Sequence, residues 1–408
     1  MLNQQTKAKI SLYLNYFVFA ILLNSVGIVI LKAQKNFGVD ELQASTLELF
    51  KDLPIAIVSF LVASFLPRLG YRKSMLIGLA IIIAACFGMY FGNSFLASKL
   101  LFVSVGTGFA LIKVSVFATI GLVTNTENEH NSLMSSIEGV FMFGITFGYF
   151  LFPAFNSETN PDTWLQVYLI IAALALLSFI FLWFTDFEDN VEIPGRNFAD
   201  DFRQMLLLMT KLLVFVFVIS AFLFVMVEQG IMTWLPSFNE RVLNLPENLA
   251  ILMTSVLFIS MGIGRLLAGV IVKHVSWVLV TMTCLVLAMA MVLFVLPAAV
   301  NSNIMNMTEW TDIPLIGYAF PIVGLFLAPV YPLLNSVILR SLPHKLHSPM
   351  SGLIIIFSAI GGTLGSRFIA YLFKNVGADT AFNYTLIPML ALLTAVFILY
   401  RLTRSQTT

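Results

Sequence analysis

Residues 185–204 read TDFEDNVEIPGRNFADDFRQ, the longest polar interval of the chain, with six acidic residues and the turn pair Pro194-Gly195. A charged side chain in hydrocarbon costs at least a few kcal/mol, so this stretch is a solvated linker. Its flanks are of the opposite kind. Directly before it stands QVYLIIAALALLSFIFLWF, residues 166–184, and from residue 209 the chain is again apolar as far as Pro236. A helix needs about 20 mostly apolar residues to cross a bilayer core about 30 Å thick. Working outward from the linker, twelve segments meet that need: 11–34, 44–67, 73–92, 96–122, 131–153, 165–184, 209–236, 247–272, 276–297, 312–340, 348–374 and 378–401. Their apolar runs are continuous rather than alternating, which excludes a transmembrane β-barrel. The expected fold is an all-α integral membrane protein with twelve transmembrane helices in two pseudo-symmetric six-helix bundles. Those bundles are residues 1–185 and 208–408, joined by a cytoplasmic linker over 186–207.

Composition agrees. The 408 residues are 59% hydrophobic and 11% charged, where soluble domains run about 45–50% and about 25%. A net charge of +1 supplies no basic field, so no nucleic-acid partner is expected. Cys86 and Cys284 lie inside apolar runs, and His130, His274, His344 and His347 fall in polar connections. That leaves no disulfide framework or metal-ligand set, and no cofactor is expected. The apolar stretch from Ile10 continues past Leu31 without a small-residue cleavage site, so it reads as a first span rather than a removable signal.

An even number of spans puts both termini on one face. That face carries thirteen basic residues: Lys7, Lys9, Arg68, Arg72, Lys73, Arg196, Arg203, Lys211, Lys273, Arg340, Lys345, Arg401 and Arg404. The opposite face carries five: Lys32, Lys35, Lys99, Arg241 and Lys374. The positive-inside rule then makes both termini cytoplasmic. The expectation is a monomeric multi-pass protein of the cell membrane, such as a bacterial inner membrane, surrounded by membrane lipid.

The halves echo one another. The glycines at the ends of Gly139-Val-Phe-Met-Phe-Gly-Ile-Thr-Phe-Gly148 correspond to Gly352 and Gly361 at a shift of 213 residues. SFLPRLGYRKSMLIG after span two is paralleled by AGVIVKHVSWVLV after span eight. Related halves around a central linker suggest a parallel repeat about an axis normal to the membrane. On these features the chain resembles the major facilitator superfamily. Leu66-Pro67-Arg68-Leu69-Gly70-Tyr71-Arg72-Lys73 is similar to that family's Gly-x-x-x-Asp-Arg-x-Gly-Arg-Arg loop, though it lacks the aspartate. Gly264-Arg265-Leu266-Leu267-Ala268-Gly269 is similar to the second-half counterpart.

Within the superfamily the nearest likeness is to the fucose-permease-like proton symporters. Asn24-Ser25 through Lys32 is similar to their Asn-Asp-x-Leu-Ile-Pro-His-Leu-Lys stretch, and the Glu228 region of span seven also fits. The resemblance implies secondary active transport by alternating access. Two departures stand out: the symporters' span-one aspartate is Ser25 here, and Lys113 stands about where their span-four glutamate does. A lysine in the cavity favours a carboxylate or other anion over a neutral sugar without deciding between them. The Gly-Pro pair of drug/proton antiporters is also missing, since Ile145 follows Gly144, and this favours uptake over export.

Ionisable residues inside spans are functional hypotheses by default. Eight occur: Glu48, Lys51, Asp52, Lys113, Glu138, Glu228, Arg265 and Arg367. Lys113 lies nine residues before the end of span four, roughly 13 Å in, and Glu138 seven residues into span five, roughly 10 Å in. The two are level on consecutive helices and are expected to pair, either as a fixed brace or as a pair opened by a proton or an anionic solute. Glu228 is expected to exchange a coupling proton or to pair with Arg367. Glu48, Lys51 and Asp52 share one helix face, because residues three and four apart are neighbours. In the resembled fold Glu48 or Asp52 would meet Arg367 in an outer gate, and Arg265 would meet Glu138 in an inner one. Asn15, Asn24, Gln229, Trp234, Tyr318 and Asn335 complete the candidate solute site, although Trp234 also suits a membrane-interface anchor. Gly139, Gly144, Gly148, Gly361, Gly362 and Gly365 are expected to let helices approach closely.

No phosphate-binding Gly-Lys-Ser/Thr loop occurs, so this chain supplies no ATP-driven step. It is not expected to be an enzyme. The leading reading is a transporter of a small polar or anionic solute with proton symport. The alternative is a lipid or amphiphile flippase, or an exporter, of the same fold.

Overall fold

The computed structural model describes residues 4–124, 126–157, 160–185, 198–301, 309–343 and 346–404. Residues 186–197 of the expected linker, His344, Lys345 and the Arg68 side chain lie outside the described residues. Among those described there is no strand. Eleven helices among the described residues are long and apolar enough to cross a membrane. The twelfth is α4 (Thr46–Leu69), whose 24 residues reach about 36 Å but carry Glu48, Lys51 and Asp52 in the first two turns.

The chain forms two compact units, one of Met1–Val39 and Thr46–Phe198, the other of Asp40–Ser45 and Ala199–Thr408. Unit 1 holds α1 (Gln4–Leu23), α2 (Val26–Phe37), α4, α5 (Tyr71–Gly92), α6 (Phe95–Val123), α7 (Glu127–Leu151) and α8 (Gln166–Trp183). Two of its long helices, α6 and α7, start on side chains that satisfy orphan amides: Ser94 accepts from the Ala97 N–H at 3.1 Å, and Thr126 from the Glu129 N–H at 3.2 Å. Span one is not continuous as its hydropathy suggests. It breaks at Asn24-Ser25, between α1 and α2, where two adjacent small polar side chains bond back to the chain instead of extending the ladder.

Unit 2 holds α3 (Glu41–Ala44), α9 (Phe198–Met209), α10 (Leu212–Arg241), α11 (Glu247–Ile271) and α12 (Trp277–Ala290). It continues with α13 (Leu296–Val300), α14 (Leu315–Ala319), α15 (Val323–Leu327), α16 (Val330–Arg340), α17 (His347–Asn375), α18 (Ala378–Ala381) and α19 (Leu386–Arg404). The end of the expected linker is helical: α9 buries Met205 and Leu208 and exposes Leu206 and Leu207. Pro236, read from sequence as the end of span seven, lies inside α10, which continues to Arg241. Span nine carries a π-helical turn at Met291–Val295, and span ten is α14 to α16, interrupted around Pro321 and Pro329. Such breaks are tolerated at membrane depth where protein re-satisfies the backbone.

Two glycines set helix contacts. A Cβ on Gly144 of α7 would stand 2.8 Å from Ala20 Cβ and 2.9 Å from the Phe17 carbonyl of α1. A Cβ on Gly365 of α17 would run into the Met226 carbonyl of α10. Gly139, expected to belong to the same stripe, has open space where a Cβ would be.

Candidate functional site

In unit 1, α1, α6 and α7 bring together the ionisable groups farthest from the helix ends. Lys113 lies ten residues before the end of α6, about 15 Å along it. Phe109 and Phe117, one turn to either side, set their rings beneath its ammonium, with centroids 5.7 and 6.0 Å from Nζ. Tyr16 of α1 stands 6.3 Å from the Phe109 ring, 6.0 Å from Phe117 and 5.3 Å from Phe141 of α7. Glu138 of α7 is within electrostatic reach of both Lys113 and Tyr16. The expected ion pair does not close, for no Lys113–Glu138 contact lies within 4.0 Å. No group among the described residues accepts a hydrogen bond from Lys113 Nζ.

The break in span one adjoins a second polar cluster. The Asn24 amide donates to the Ala20 carbonyl at 3.1 Å and the Ser25 hydroxyl to the Leu22 carbonyl at 2.8 Å. The Tyr149 hydroxyl of α7 donates to the Asn24 carbonyl at 3.2 Å, and Glu48 lies within electrostatic reach of that phenol. Lys51 bonds Glu48 and stands 3.5 Å from Asp52, and all three side chains are buried. One helical turn therefore sets one ammonium against two carboxylates. Asn15 donates to the Ser11 carbonyl at 2.7 Å and keeps a buried Oδ1 without a partner.

Unit 2 has its own mid-span acid. Glu228 of α10 has Arg265 of α11 within electrostatic reach, and Tyr331 of α16 lies in its field. The basic neighbour is thus Arg265 rather than the expected Arg367. The Tyr331 and Ser358 hydroxyls share a 2.8 Å hydrogen bond, and the Tyr331 ring stacks on Phe224 at 5.7 Å. Asn335, one turn along α16, faces the same phenol and has a buried Oδ1 without a partner. Gln229 is half-buried beside Glu228.

Two expected site residues serve as braces. The Trp234 indole is fully buried, donates to Ser366 Oγ at 3.1 Å and packs on Phe373 at 5.0 Å. The Tyr318 hydroxyl bonds the Trp310 carbonyl, and the two rings lie 5.2 Å apart.

Asp40–Ser45 forms a strap that belongs to unit 2 although it lies between α2 and α4 in sequence. Asp40 caps α3 by accepting from the Gln43 N–H at 2.7 Å, while Gln43 Oε1 accepts from the Asp40 N–H at 3.2 Å. Its other oxygen meets Lys374 Nζ at 2.8 Å. Glu41 meets Arg241 at 2.6 Å, and Arg367 donates to the Leu42 carbonyl at 3.2 Å. The Lys374 ammonium, then the Gln43 amide, hold the Asp40 carboxyl below the usual range. Elsewhere in unit 2, Gly264, Ala268, Leu279, Thr283, Leu325 and Pro329 border an apolar groove of about 300 Å³.

A family model described as Major Facilitator Superfamily matches residues 12–366. The chain belongs to the major facilitator superfamily. No curated protein matches the sequence. Solved structures share the superfamily fold at low identity. A bacterial homolog of the human lysosomal transporter Spinster, inward-facing and unoccupied, has a TM-score of 0.72 at 16% identity, covering 99% of this chain and 97% of that one. A D-xylose-proton symporter has a TM-score of 0.67 at 14% identity, over 96% and 97%. The E. coli fucose:proton symporter has a TM-score of 0.64 at 15% identity, over 98% and 99%.

For this superfamily member the sequence singles out Lys113, Glu138, Glu228 and Asn335 as polar groups inside spans, and each has unfilled polar capacity near an aromatic ring. It does not single out Tyr16, Tyr149, Tyr331, Ser358 or the strap acids. The available signals were faint: Tyr331 stands between Pro329 and Pro332 in a span those prolines must interrupt, and Asp40-x-x-Gln43 is a capping pattern.

Proposed function

We propose that the chain is a secondary active transporter that takes up a small polar or anionic solute by alternating access, with proton symport, as a monomer in a bacterial inner membrane. Both termini are cytoplasmic in this reading. Members of the superfamily are transporters, and the D-xylose and fucose proteins it resembles are proton symporters by name. The observation that carries the reading is that mid-span ionisable groups stand without a closed ion pair: Lys113 and Glu138 in unit 1, Glu228 in unit 2. Groups merely bracing helices would be closed, as Glu48, Lys51 and Asp52 are.

A proton on Glu138 removes its pull on Lys113, whose ammonium then meets the anion. Glu228 exchanges a proton in the other bundle. Arg367, expected with Glu48 and Asp52 at an outer gate, donates to the Leu42 carbonyl of the strap. Arg265 is assigned to balancing Glu228.

The test is a thermal-shift screen of purified protein against sugars, carboxylates, amino acids and lysolipids, followed by accumulation of the best ligand in proteoliposomes with an acidic exterior. Uphill uptake that collapses with a protonophore is expected. Equilibration indifferent to the proton gradient contradicts the reading. The apolar groove at Gly264 and Leu325 favours the second reading, a lipid or amphiphile flippase or exporter, which predicts that lysolipids alone shift the unfolding temperature.

A further inference from the structure

The surroundings of Lys113 narrow the solute class. Its ammonium has three N–H donors and no acceptor among the described residues, and the Phe109 and Phe117 ring centroids stand 5.7 and 6.0 Å from it. Phe109 and Phe117 flank it, and Tyr16 and Phe141 extend the aromatic wall, with Phe109 and Phe141 centroids 6.0 Å apart. A monosaccharide buried here would bring several hydroxyls, each needing a partner to replace water. The Phe109, Phe117 and Phe141 rings provide none, which leaves the Tyr16 hydroxyl and the Glu138 carboxylate as the polar groups of this wall. The hydroxyl-rich partners are in unit 2, where Tyr331, Ser358 and Asn335 cluster. A solute suited to the unit 1 site carries one concentrated negative charge for the ammonium and a flat apolar body for ring faces, which prefer offset or edge contact with another ring.

We infer that the solute is a monocarboxylate with an aromatic body, its carboxylate on Lys113 and its ring against the half-buried Phe117 and Phe141. The inference rests on the transporter reading and specifies its substrate class. An inorganic or short aliphatic anion would fill the ammonium's need and leave the rings unused. A neutral aromatic would do the reverse.

The experiment is calorimetric binding to full-length protein in lipid nanodiscs, with phenylacetate, its neutral amide phenylacetamide, acetate and D-xylose as probes. Phenylacetate is expected to bind at least about tenfold more tightly than each of the other three. Lys113→Met is expected to abolish the phenylacetate signal, while Lys113→Arg, which keeps the charge, restores it to within about tenfold. Phe117→Leu should weaken phenylacetate more than acetate. The thermal unfolding of each unliganded variant shows whether it is folded, and Lys113→Gln, which also removes the charge, carries the test should Lys113→Met not fold. Xylose or acetate binding as tightly as phenylacetate overturns the assignment, as does phenylacetate binding that folded Lys113→Met leaves unchanged, or no phenylacetate binding at all. Should another solute then be accumulated against its gradient by protons, the substrate class fails and the transporter reading stands. Should no solute be accumulated, both fail.

Discussion

At the scale of single residues, the molecule separates ionisable groups that are closed from those that are open. Lys51 between Glu48 and Asp52 is closed and buried. Removing one member of a buried ion pair strands the others and costs about 3–5 kcal/mol. Lys51→Met is therefore expected to lose most of its folded yield in detergent by size-exclusion chromatography, and Glu48→Gln with Lys51→Met to regain part of it. Lys113, Glu138 and Glu228 are open. Glu138→Gln and Glu228→Gln should unfold within a few degrees of the parent yet lose proton-driven accumulation, measured side by side. Sequence could rank these residues because a charge in an apolar run is conspicuous whatever surrounds it. It could not assign partners, since 1.5 Å of rise per residue gives depth along a helix but not which neighbour each side chain turns toward. So Lys113 and Glu138 lie within electrostatic reach yet do not touch, and Glu228 has Arg265, not Arg367, as its basic neighbour.

At the scale of elements, close approach and interruption shape the two bundles. Inserting a side chain where backbone already occupies the space costs about 1–3 kcal/mol. Gly365→Val should accordingly lower the unfolding temperature measurably, whereas Gly139→Ala, which meets open space, should leave it within error. The sequence groups both glycines in one class because spacing alone does not say which face meets a neighbour. Helix ends and spans were legible wherever hydropathy or a cap decides them. The break at Asn24-Ser25 was not, because two polar residues in a long apolar run leave its average unchanged, while Tyr149 supplies the hydroxyl that the opened carbonyl needs. The strap has a pH dependence of definite sign. A carboxyl held below its ordinary value adds stability above its unfolded pKa, about 3.9, and loses it as pH falls through the lower folded value. Amides of residues 40–45 should stay protected from hydrogen exchange from neutral pH to about 5, and lose protection below about 4. Lys374→Ala should weaken the protection at neutral pH and reduce its dependence on Asp40 to the part carried by the Gln43 cap, as high salt should in part.

At the scale of the whole molecule, the chain leaves unit 1 after Val39, lends Asp40–Ser45 to unit 2 and returns at Thr46. A segment of the first half is thus held by Arg241, Arg367 and Lys374 of the second. The twelve-span, two-bundle plan was readable from the sequence because span length and a charged linker are properties of single segments. Membership of the strap in the other unit was not, because it depends on contacts between residues some 200 to 334 positions apart. The central claim is that the open mid-span acids move protons together with the solute. Its most direct test is the internal pH of proteoliposomes loaded with a pH-sensitive dye, followed on addition of the ligand that most stabilises the protein. The account predicts lumenal acidification that Glu138→Gln and Glu228→Gln each abolish; solute entry with no pH change in the parent protein would contradict it.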